Sequence, residues 1–384
     1  MEQDTADKKA LSTETFLRLL VGLHVYLNSE RSEMSPHLRH AMNVLAFAQL
    51  SAFPKTIHQF IHECHDAPNL WKLSVTAPAV FDSSQPILSQ NQLSAEAQEF
   101  CMAMSESLQI DVYRGSLPQT ALDNLIMIDL RKTLQQWPDR AEAQHTYVAI
   151  RSFLSTYSIC TVRDLRRQTA IWDYVPAFYE DVPPLPHPKL PVCPRCGLLE
   201  WVDDAWHGVK PTYCSDHNPA SLTWINNEAR LQRLKRGIHL RTFIPGQAEL
   251  AVFSHADNRH AEFPLQLVNV ERYPGLDTYD LRLTFSDGEV WAVDVKDHTS
   301  PLTFIEQVKS LYNLGDLKHD QAFYVIPDAR MDDWAYRNAV NEKRDSLPRN
   351  SKLDIATITS FQQLVDAKLE SLTRPLNKKP TPKR

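Results

Sequence analysis

The stretch that decides the fold runs Asp277-Thr-Tyr-Asp280-Leu-Arg-Leu-Thr-Phe-Ser-Asp-Gly288-Glu-Val-Trp-Ala-Val-Asp294-Val-Lys296. Alternating apolar segments lie on both sides of Gly288, and a glycine preceded by aspartate at such a place is typical of a β-hairpin. Side chains two residues apart in a strand share a face. The alternation therefore predicts that Trp291 and the apolar residues in register with it face the core, while Asp294 and Lys296 lie together on the opposite face.

The strand before the turn supplies a second carboxylate. Its apolar face is formed by Leu281, Leu283 and Phe285, which leaves Asp280 opposite them on the strand adjacent to Asp294. Two carboxylates on adjacent strands can share a hard cation such as Mg²⁺, which prefers oxygen ligands. A neighbouring lysine can activate a water or stabilise charge on a phosphate. The pattern therefore indicates metal-dependent hydrolysis of a phosphodiester.

The composition of the chain indicates which class of protein carries this motif. The chain has 384 residues, of which 43% are hydrophobic and 23% charged, so it reads as ordinary globular protein with room for more than one domain. No apolar run approaches the roughly 18 residues of a membrane span, and the acidic N-terminus lacks a signal-peptide pattern. We therefore expect a cytoplasmic protein. The net charge of −6 gives no global basic signature for nucleic acid.

The region before the motif is expected to be helical. Apolar residues recur at helical spacing through residues 11–175, with further helices predicted at 94–108, 119–135 and 140–157. We therefore assign residues 1–175 to a helical N-terminal domain. The following proline-rich residues 176–192 predict an extended linker, because closely spaced prolines impose a semi-rigid backbone.

A cluster of cysteines follows the linker and has the spacing C-x2-C-x17-C-x2-H. Two tight ligand pairs separated by an arm long enough for a hairpin are typical of a closed, structural Zn²⁺ site. The glycine after the second cysteine permits the knuckle turn. Residues 193–220 are thus predicted to form a zinc ribbon or knuckle. Its ligands would be Cys193, Cys196, Cys214 and His217, with His207 as the alternative fourth ligand.

The remaining chain, residues 221–373, predicts the element order α-β-β-β-α-β-α-β-α. Its opening residues 226–236 read as a basic helix, and a second helix that begins near Pro245 carries Glu249. A helix is also expected from Pro301 to Leu314. The basic, proline-rich tail at 374–384 is expected to be disordered.

This order of elements resembles the PD-(D/E)xK restriction-endonuclease-like superfamily, over roughly residues 222–372. The resemblance implies an α/β core, with a mixed sheet flanked by helices, behind an all-α N-terminal region and the zinc knuckle. It implies that Asp280 and Asp294 bind Mg²⁺ or Mn²⁺ and that Lys296 is the catalytic lysine. Glu249 matches a glutamate that many members carry on the first core helix. Tyr279 stands where the superfamily pattern has proline, at a position that varies widely.

A closer resemblance rests on three segments, which are Phe243-Ile-Pro-Gly246-Gln-Ala-Glu249-Leu, Glu271-Arg-Tyr-Pro274-Gly-Leu-Asp277-Thr-Tyr-Asp280-Leu and Trp291-Ala-Val-Asp294-Val-Lys296-Asp297. They look like the endonuclease associated with pPIWI-RE proteins. That family combines a helical region, a zinc knuckle and a C-terminal nuclease in the order predicted here. The resemblance implies a DNA substrate and, as partners, a pPIWI-RE protein and a DinG-like helicase in prokaryotic defence against invasive DNA.

Two other functions are compatible with the same residues. The chain can be a non-catalytic, zinc-containing adaptor that binds DNA or protein, in which the carboxylates are relics. It can also be a transposase-type end-cleaving subunit, which shares the nuclease core but acts within a partner complex. Retention of Asp280, Asp294 and Lys296 together argues against the adaptor.

Overall fold

The computed structural model describes residues 9–28, 34–48, 56–71, 75–89, 92–107, 119–182, 189–193, 197–198, 223–226, 230–298, 300–348 and 352–373. Within these ranges, no helix is both long and apolar enough to cross a lipid bilayer.

Helices and short strands are distributed along the whole described chain. The helices are α1 (Thr13–Asn28), α2 (Pro36–Ala48), α3 (Ile57–Glu63), α4 (Ala95–Ser107), α5 (Gln119–Gln135), α6 (Arg140–Thr156), α7 (Val162–Arg167), α8 (Arg236–Ile238), α9 (Ile244–Glu262), α10 (Pro274–Asp277), α11 (Pro301–Gln307), α12 (Trp334–Ser346) and α13 (Ile358–Thr373). The strands are β1 (Lys9–Ala10), β2 (Val75–Thr76), β3 (Leu88–Ser89), β4 (Gln92–Leu93), β5 (Ile159–Thr161), β6 (Tyr179–Asp181), β7 (Lys189–Cys193), β8 (Gly197–Leu198), β9 (Thr223–Asn226), β10 (Leu231–Leu234), β11 (Leu267–Arg272), β12 (Leu281–Phe285), β13 (Val290–Val295), β14 (Gln321–Ile326) and β15 (Leu353–Thr357).

The chain divides into two compact units. The N-terminal unit comprises Met1–Leu130, Ser158–Arg241 and Ser300–Gln307, and the C-terminal unit comprises Arg131–Tyr157, Thr242–Thr299 and Val308–Arg384. Helix α6, which sequence reasoning assigned to the N-terminal domain, therefore belongs to the same compact unit as the carboxylate hairpin.

The N-terminal unit has a helical core. Helices α1 and α4 pack around a cluster of rings in which Phe16 contacts Phe81 and Phe100. Helices predominate in this region, but the prediction that it is all-α is wrong, because its described residues also form the strand pairs β1–β2 and β3–β4. Helix α7 begins after Thr161, whose side chain forms a reciprocal capping box with Asp164.

The predicted basic helix over residues 226–236 is wrong. Residues Leu231–Leu234 instead form β10, the central strand of a small antiparallel sheet with order β5-β10-β6. Pairing on both edges overrides the local helical preference of this segment, since tertiary context routinely outweighs propensity. A cross-strand ion pair between Arg233 and Glu180, 2.7 Å apart, adds to the pairing.

The C-terminal unit is built on a mixed five-stranded sheet of order β11-β12-β13-β14-β15. The strands β11, β12 and β13 run antiparallel, whereas β13, β14 and β15 run parallel. From residue 244 on, the chain order is α9-β11-α10-β12-β13-α11-β14-α12-β15-α13, which agrees with the predicted order apart from the additional short helix α10, and α11 is assigned to the N-terminal unit. The helix predicted from Pro301 to Leu314 is shorter and ends at Gln307. The observed mixed sheet with its helices is compatible with the predicted α/β core.

The hairpin between β12 and β13 forms as predicted. Leu283 pairs with Trp291 across the strands, and Gly288 in the turn has φ of +89°, which glycine adopts without strain. Asp287 accepts a hydrogen bond from the Glu289 amide at 3.1 Å and so closes the turn. The apolar face of the hairpin lies in the core against α9 and α13, as the alternation predicts.

Candidate active site

The two aspartates of the predicted site lie opposite each other at one end of the hairpin. Leu281 pairs with Val293 in the antiparallel register, which places Asp280 opposite Asp294. The Asp280 amide donates to the Val293 carbonyl at 2.9 Å, and its carboxylate Oδ2 accepts from the Val295 amide at 2.6 Å. Asp280 is thereby fixed at both its backbone and its side chain. The side chains of Asp280 and Asp294 are both buried.

Lys296 follows β13 and turns its ammonium back to the same end of the sheet. Its Nζ lies 2.9 Å from Oδ1 of Asp294, and its backbone amide donates to the Val325 carbonyl of β14 at 2.8 Å. The lysine side chain is 27% exposed, compared with 12% for Asp294. The Lys296 side chain is therefore half-buried, while the Asp294 carboxylate beside it is mostly covered.

Glu249 on α9 reaches this end of the sheet from the first core helix. Its side chain is only 3% exposed, and each of its oxygens accepts one hydrogen bond. Oε1 accepts from Nη2 of Arg151 at 2.9 Å, and Oε2 accepts from the Tyr273 hydroxyl at 2.7 Å. A carboxylate oxygen has two lone pairs, so each oxygen keeps one for a further partner.

The segment that leads into Asp280 is a tight, left-handed turn. Tyr273, Gly275, Leu276 and Asp277 have φ values of +50°, +63°, +58° and +74°. Left-handed backbone costs a residue with a Cβ roughly 1–2 kcal/mol, so the surrounding contacts must hold the turn. One contact is the Tyr273 amide, which donates to the Asp280 carbonyl at 2.7 Å. The turn and the metal-ligand candidate are therefore directly connected.

The charges at this end of the sheet influence one another strongly. Burial raises the pKa of Asp280 well above its usual range, and the negative charges of Glu249 and Asp294 raise it further. Burial also raises the pKa of Glu249, although the Arg151 guanidinium opposes this. For Lys296, burial lowers the pKa, but the carboxylates of Asp294 and Asp280 outweigh it and the net pKa is raised. The site is a compact cluster of negative charge with one lysine in it.

These residues fit a divalent cation of the Mg²⁺ type. In the described part of the chain, no group of three or more His, Cys, Asp or Glu side chains is arranged as a metal site. Mg²⁺, however, is commonly held by one or two carboxylates together with waters and substrate phosphates, rather than by a complete protein cage. The mutual repulsion of Asp280 and Asp294 is the kind of charge imbalance that such a cation would relieve.

The predicted zinc ligands are only partly within the described residues. Cys196, Cys214, His217 and the alternative ligand His207 lie outside them. Cys193 is buried at the end of β7, where it pairs with Gly197 in an antiparallel register. Such a short reversal after the first cysteine suits a knuckle turn, and the zinc site stays a prediction.

Several residues of the site were missed by sequence reasoning. They are Gln144, Tyr147 and Arg151 of α6 and Tyr273 before the left-handed turn. The α6 residues fall at helical spacing on one stripe, and a polar stripe on a helix that also has a buried apolar face is the available signal. Asp297, next to Lys296, forms an ion pair with Arg330 at 2.7 Å.

Comparison with known families supports the resemblance stated from the sequence. Residues 246–373, which span α9 to α13, match the model of the family described as REase associating with pPIWI_RE. The suspected family resemblance is confirmed for these residues. No curated protein and no solved structure matches the chain. The matched segment contains Glu249, Asp280, Asp294 and Lys296 but not helix α6.

Proposed function

We propose that this chain is a Mg²⁺- or Mn²⁺-dependent DNA endonuclease of the PD-(D/E)xK type. The observation that carries the proposal is the placement of Asp280 opposite Asp294 on neighbouring strands, with the Lys296 ammonium 2.9 Å from Asp294. The family match over residues 246–373 supports it, because that family is described by its restriction-endonuclease character.

The carboxylates of Asp280 and Asp294 would hold the cation, and the carbonyl of Val295, the residue directly after Asp294, would be a further ligand by the family resemblance. When bound, the cation would act as a Lewis acid that stabilises negative charge on the scissile phosphate. Asp280 is suited to a fixed ligand, since the Val295 amide already holds one of its oxygens at 2.6 Å. Glu249 is the third carboxylate and completes the negative field of the site.

Lys296 would place its ammonium against the phosphate. Its Nζ is a compact point charge with three donors, of which one is directed at Asp294. The other two can donate to phosphate oxygens as charge builds up on them in the transition state, which is where such a donor lowers the barrier. The half-buried position of Lys296 strengthens this interaction, because solvent screens it less.

The biological setting follows from the family. We propose that the enzyme acts on invasive DNA in a prokaryotic defence system, together with a pPIWI-RE protein and a helicase. A structural Zn²⁺ held by Cys193, Cys196, Cys214 and His217 would stabilise the region before the nuclease. These partners and the zinc rest on the resemblance and on the cysteine spacing.

The test is cleavage of plasmid and R-loop substrates with Mg²⁺ or Mn²⁺. Lys296→Ala and Asp294→Ala should each lower the cleavage rate by about a hundredfold or more, because each removes charge stabilisation from the transition state. Lys352→Ala is the matched control, since this exposed lysine lies at the other end of the strands, near Asp320. Folding of all variants is checked by circular dichroism.

The outcomes separate the candidate functions. Metal-dependent cleavage that is lost in Lys296→Ala and retained in Lys352→Ala supports the nuclease. Absence of nicking by the wild type on every substrate, with either metal, favours the adaptor instead. A stable complex with a transposase, rather than with a helicase or a PIWI-like protein, selects the end-cleaving subunit.

A further inference from the structure

Arg151 is a buried cation on a helix that the family match does not include. It lies on α6, and its side chain is only 7% exposed. A buried guanidinium is costly unless it is paired and hydrogen-bonded, so its partners indicate why it is there. Those partners are Thr242 just before α9, Glu249 on α9 and Asp277 in the turn that leads into Asp280.

The guanidinium joins three separate segments of the C-terminal unit. Its Nη1 donates to the Thr242 carbonyl, just before α9, at 3.0 Å, and its Nη2 donates to Glu249 at 2.9 Å. Its Nε lies 3.7 Å from Oδ2 of Asp277, in the left-handed turn. The planar guanidinium has donors that point in several directions and can contact all three segments at once. A lysine has a single nitrogen and cannot make all of these contacts in the same geometry.

The same contacts are supported by a second side chain of α6. The Tyr147 hydroxyl donates to Oδ2 of Asp277 at 2.6 Å, so that oxygen is held by α6 from two positions. Gln144, one turn earlier, donates to the Tyr273 carbonyl at 2.8 Å and accepts from the Leu276 amide at 2.9 Å. Helix α6 thus forms hydrogen bonds to Tyr273, Leu276 and Asp277, along the whole length of the left-handed turn.

We propose that Arg151 is a positioning residue of the active centre, which fixes the Glu249 carboxylate and, through Asp277, the turn that delivers Asp280. The inference rests on the proposed nuclease function and extends it beyond residues 246–373. In this role Arg151 would contact neither substrate nor cation. It acts by setting where two carboxylates stand, and this position matters because a misplacement of about 1 Å can cost a hundredfold in rate.

The test uses Arg151→Lys in the full chain, with cleavage and Mn²⁺ binding as two readouts. Arg151→Lys should lower kcat about tenfold to a hundredfold with little change in KM for DNA, because DNA binding is not its role. It should also weaken binding of Mn²⁺, measured by calorimetry without DNA. Arg259→Lys is the matched control, since Arg259 on α9 pairs with Glu262 of the same helix and with Asp366 on α13. The control should leave both readouts unchanged.

A merely structural role gives a different result. In that case Arg151→Lys lowers the melting temperature but leaves kcat and Mn²⁺ affinity of the folded protein unchanged, which would overturn the inference. If Arg151→Lys does not fold, Tyr147→Phe replaces it, because this variant removes only one hydroxyl. Tyr147→Phe should then lower kcat about threefold or more, as expected for the loss of one hydrogen bond to a charged group. An unchanged kcat overturns the inference.

The two proposals fail in different ways. If the wild type cleaves DNA and Arg151→Lys behaves like the wild type, the nuclease stands and the positioning role falls. If the wild type neither cleaves DNA nor binds Mn²⁺, both the proposed function and the positioning role that rests on it are refuted. Glu249→Gln provides a further check. The double variant Glu249→Gln/Arg151→Lys should bind Mn²⁺ only slightly more weakly than Glu249→Gln alone, because two residues that act through the same contact are not additive.

Discussion

Replacement of Gly275 by alanine should destabilise the C-terminal unit and impair its site. Gly275 has φ of +63° in the middle of the left-handed turn before Asp280. A Cβ at this position would lie 2.8 Å from Cδ1 of Leu317 and 2.9 Å from Oγ1 of Thr278. The Leu317 side chain can move, but the Thr278 hydroxyl is held by its hydrogen bond to the Gly275 carbonyl at 3.0 Å. The substitution therefore combines backbone strain with a steric conflict.

The magnitude follows from three contributions. Left-handed backbone costs alanine about 1–2 kcal/mol. Overpacking adds about 1–3 kcal/mol. The reduced freedom of the unfolded chain returns about 0.4–1 kcal/mol. The expected net loss for Gly275→Ala is thus about 2–4 kcal/mol. Gly315 is a matched control, because its φ is +58° and its Cβ would meet nothing within 4 Å. Gly315→Ala should therefore cost only about 0.5–1.5 kcal/mol.

Hydrogen exchange resolves the effect, because it reports opening of one region within a chain that has two units. For amides in β12 and β13, the free energy of opening should fall by about 2–4 kcal/mol in Gly275→Ala. In Gly315→Ala it should fall by only about 0.5–1.5 kcal/mol. The first variant should also lose cleavage activity under conditions where it is folded, since Tyr273 and Asp277 of the same turn contact Glu249 and Arg151. Equal destabilisation by the two substitutions would refute the steric argument, and full activity of folded Gly275→Ala would refute the link to the site.

Two further predictions concern the N-terminal unit. Cys193→Ser should lose bound zinc and destabilise the region before the nuclease, as checked by metal analysis and proteolysis. A zinc content near zero in the wild-type protein would contradict the site. Burial, together with Glu99 and Asp82, raises the pKa of Glu96 to about 7. Because the folded state binds this proton more tightly than the unfolded state, the neutral carboxyl stabilises the fold. This stabilisation is fully present below the unfolded pKa of Glu96 and is lost as the pH rises through about 7. Glu96→Gln should therefore reduce the fall in stability between pH 5 and pH 8 by about 1–3 kcal/mol in chemical denaturation. An identical pH profile for variant and wild type would exclude this effect.

The carboxylate hairpin could be predicted from the sequence because its information is local. Alternation of apolar residues sets the buried face, and Gly288 between the strands sets the register. Once both are known, Asp280 must lie opposite Asp294, and Lys296 must share the face of Asp294. The order of helices and strands after residue 244 was predictable for the same reason. Each of those elements carries its own periodicity.

What could not be predicted depends on contacts between distant segments. The strand β10 has a helix-compatible sequence and is a strand because β5 and β6 pair with it. The left-handed turn places Leu276 at a φ of +58°, which no local rule assigns to leucine. Arg151 is 98 residues from Glu249 along the chain, so no motif could relate the two. In each case the partner that decides the structure lies far away in sequence.

Helix α6 belongs to the compact unit that contains the carboxylate hairpin. A boundary at residue 221, or at residue 246 where the family match begins, leaves α6 outside. The buried carboxylate of Glu249 and the half-buried carboxylate of Asp277 would then lose the cation that pairs with both, and an unpaired buried charge is strongly destabilising. The compact unit avoids this by including Arg131–Tyr157. The α6 side chains that hydrogen-bond to the turn before Asp280 therefore lie 129 to 132 positions before their partners in that turn.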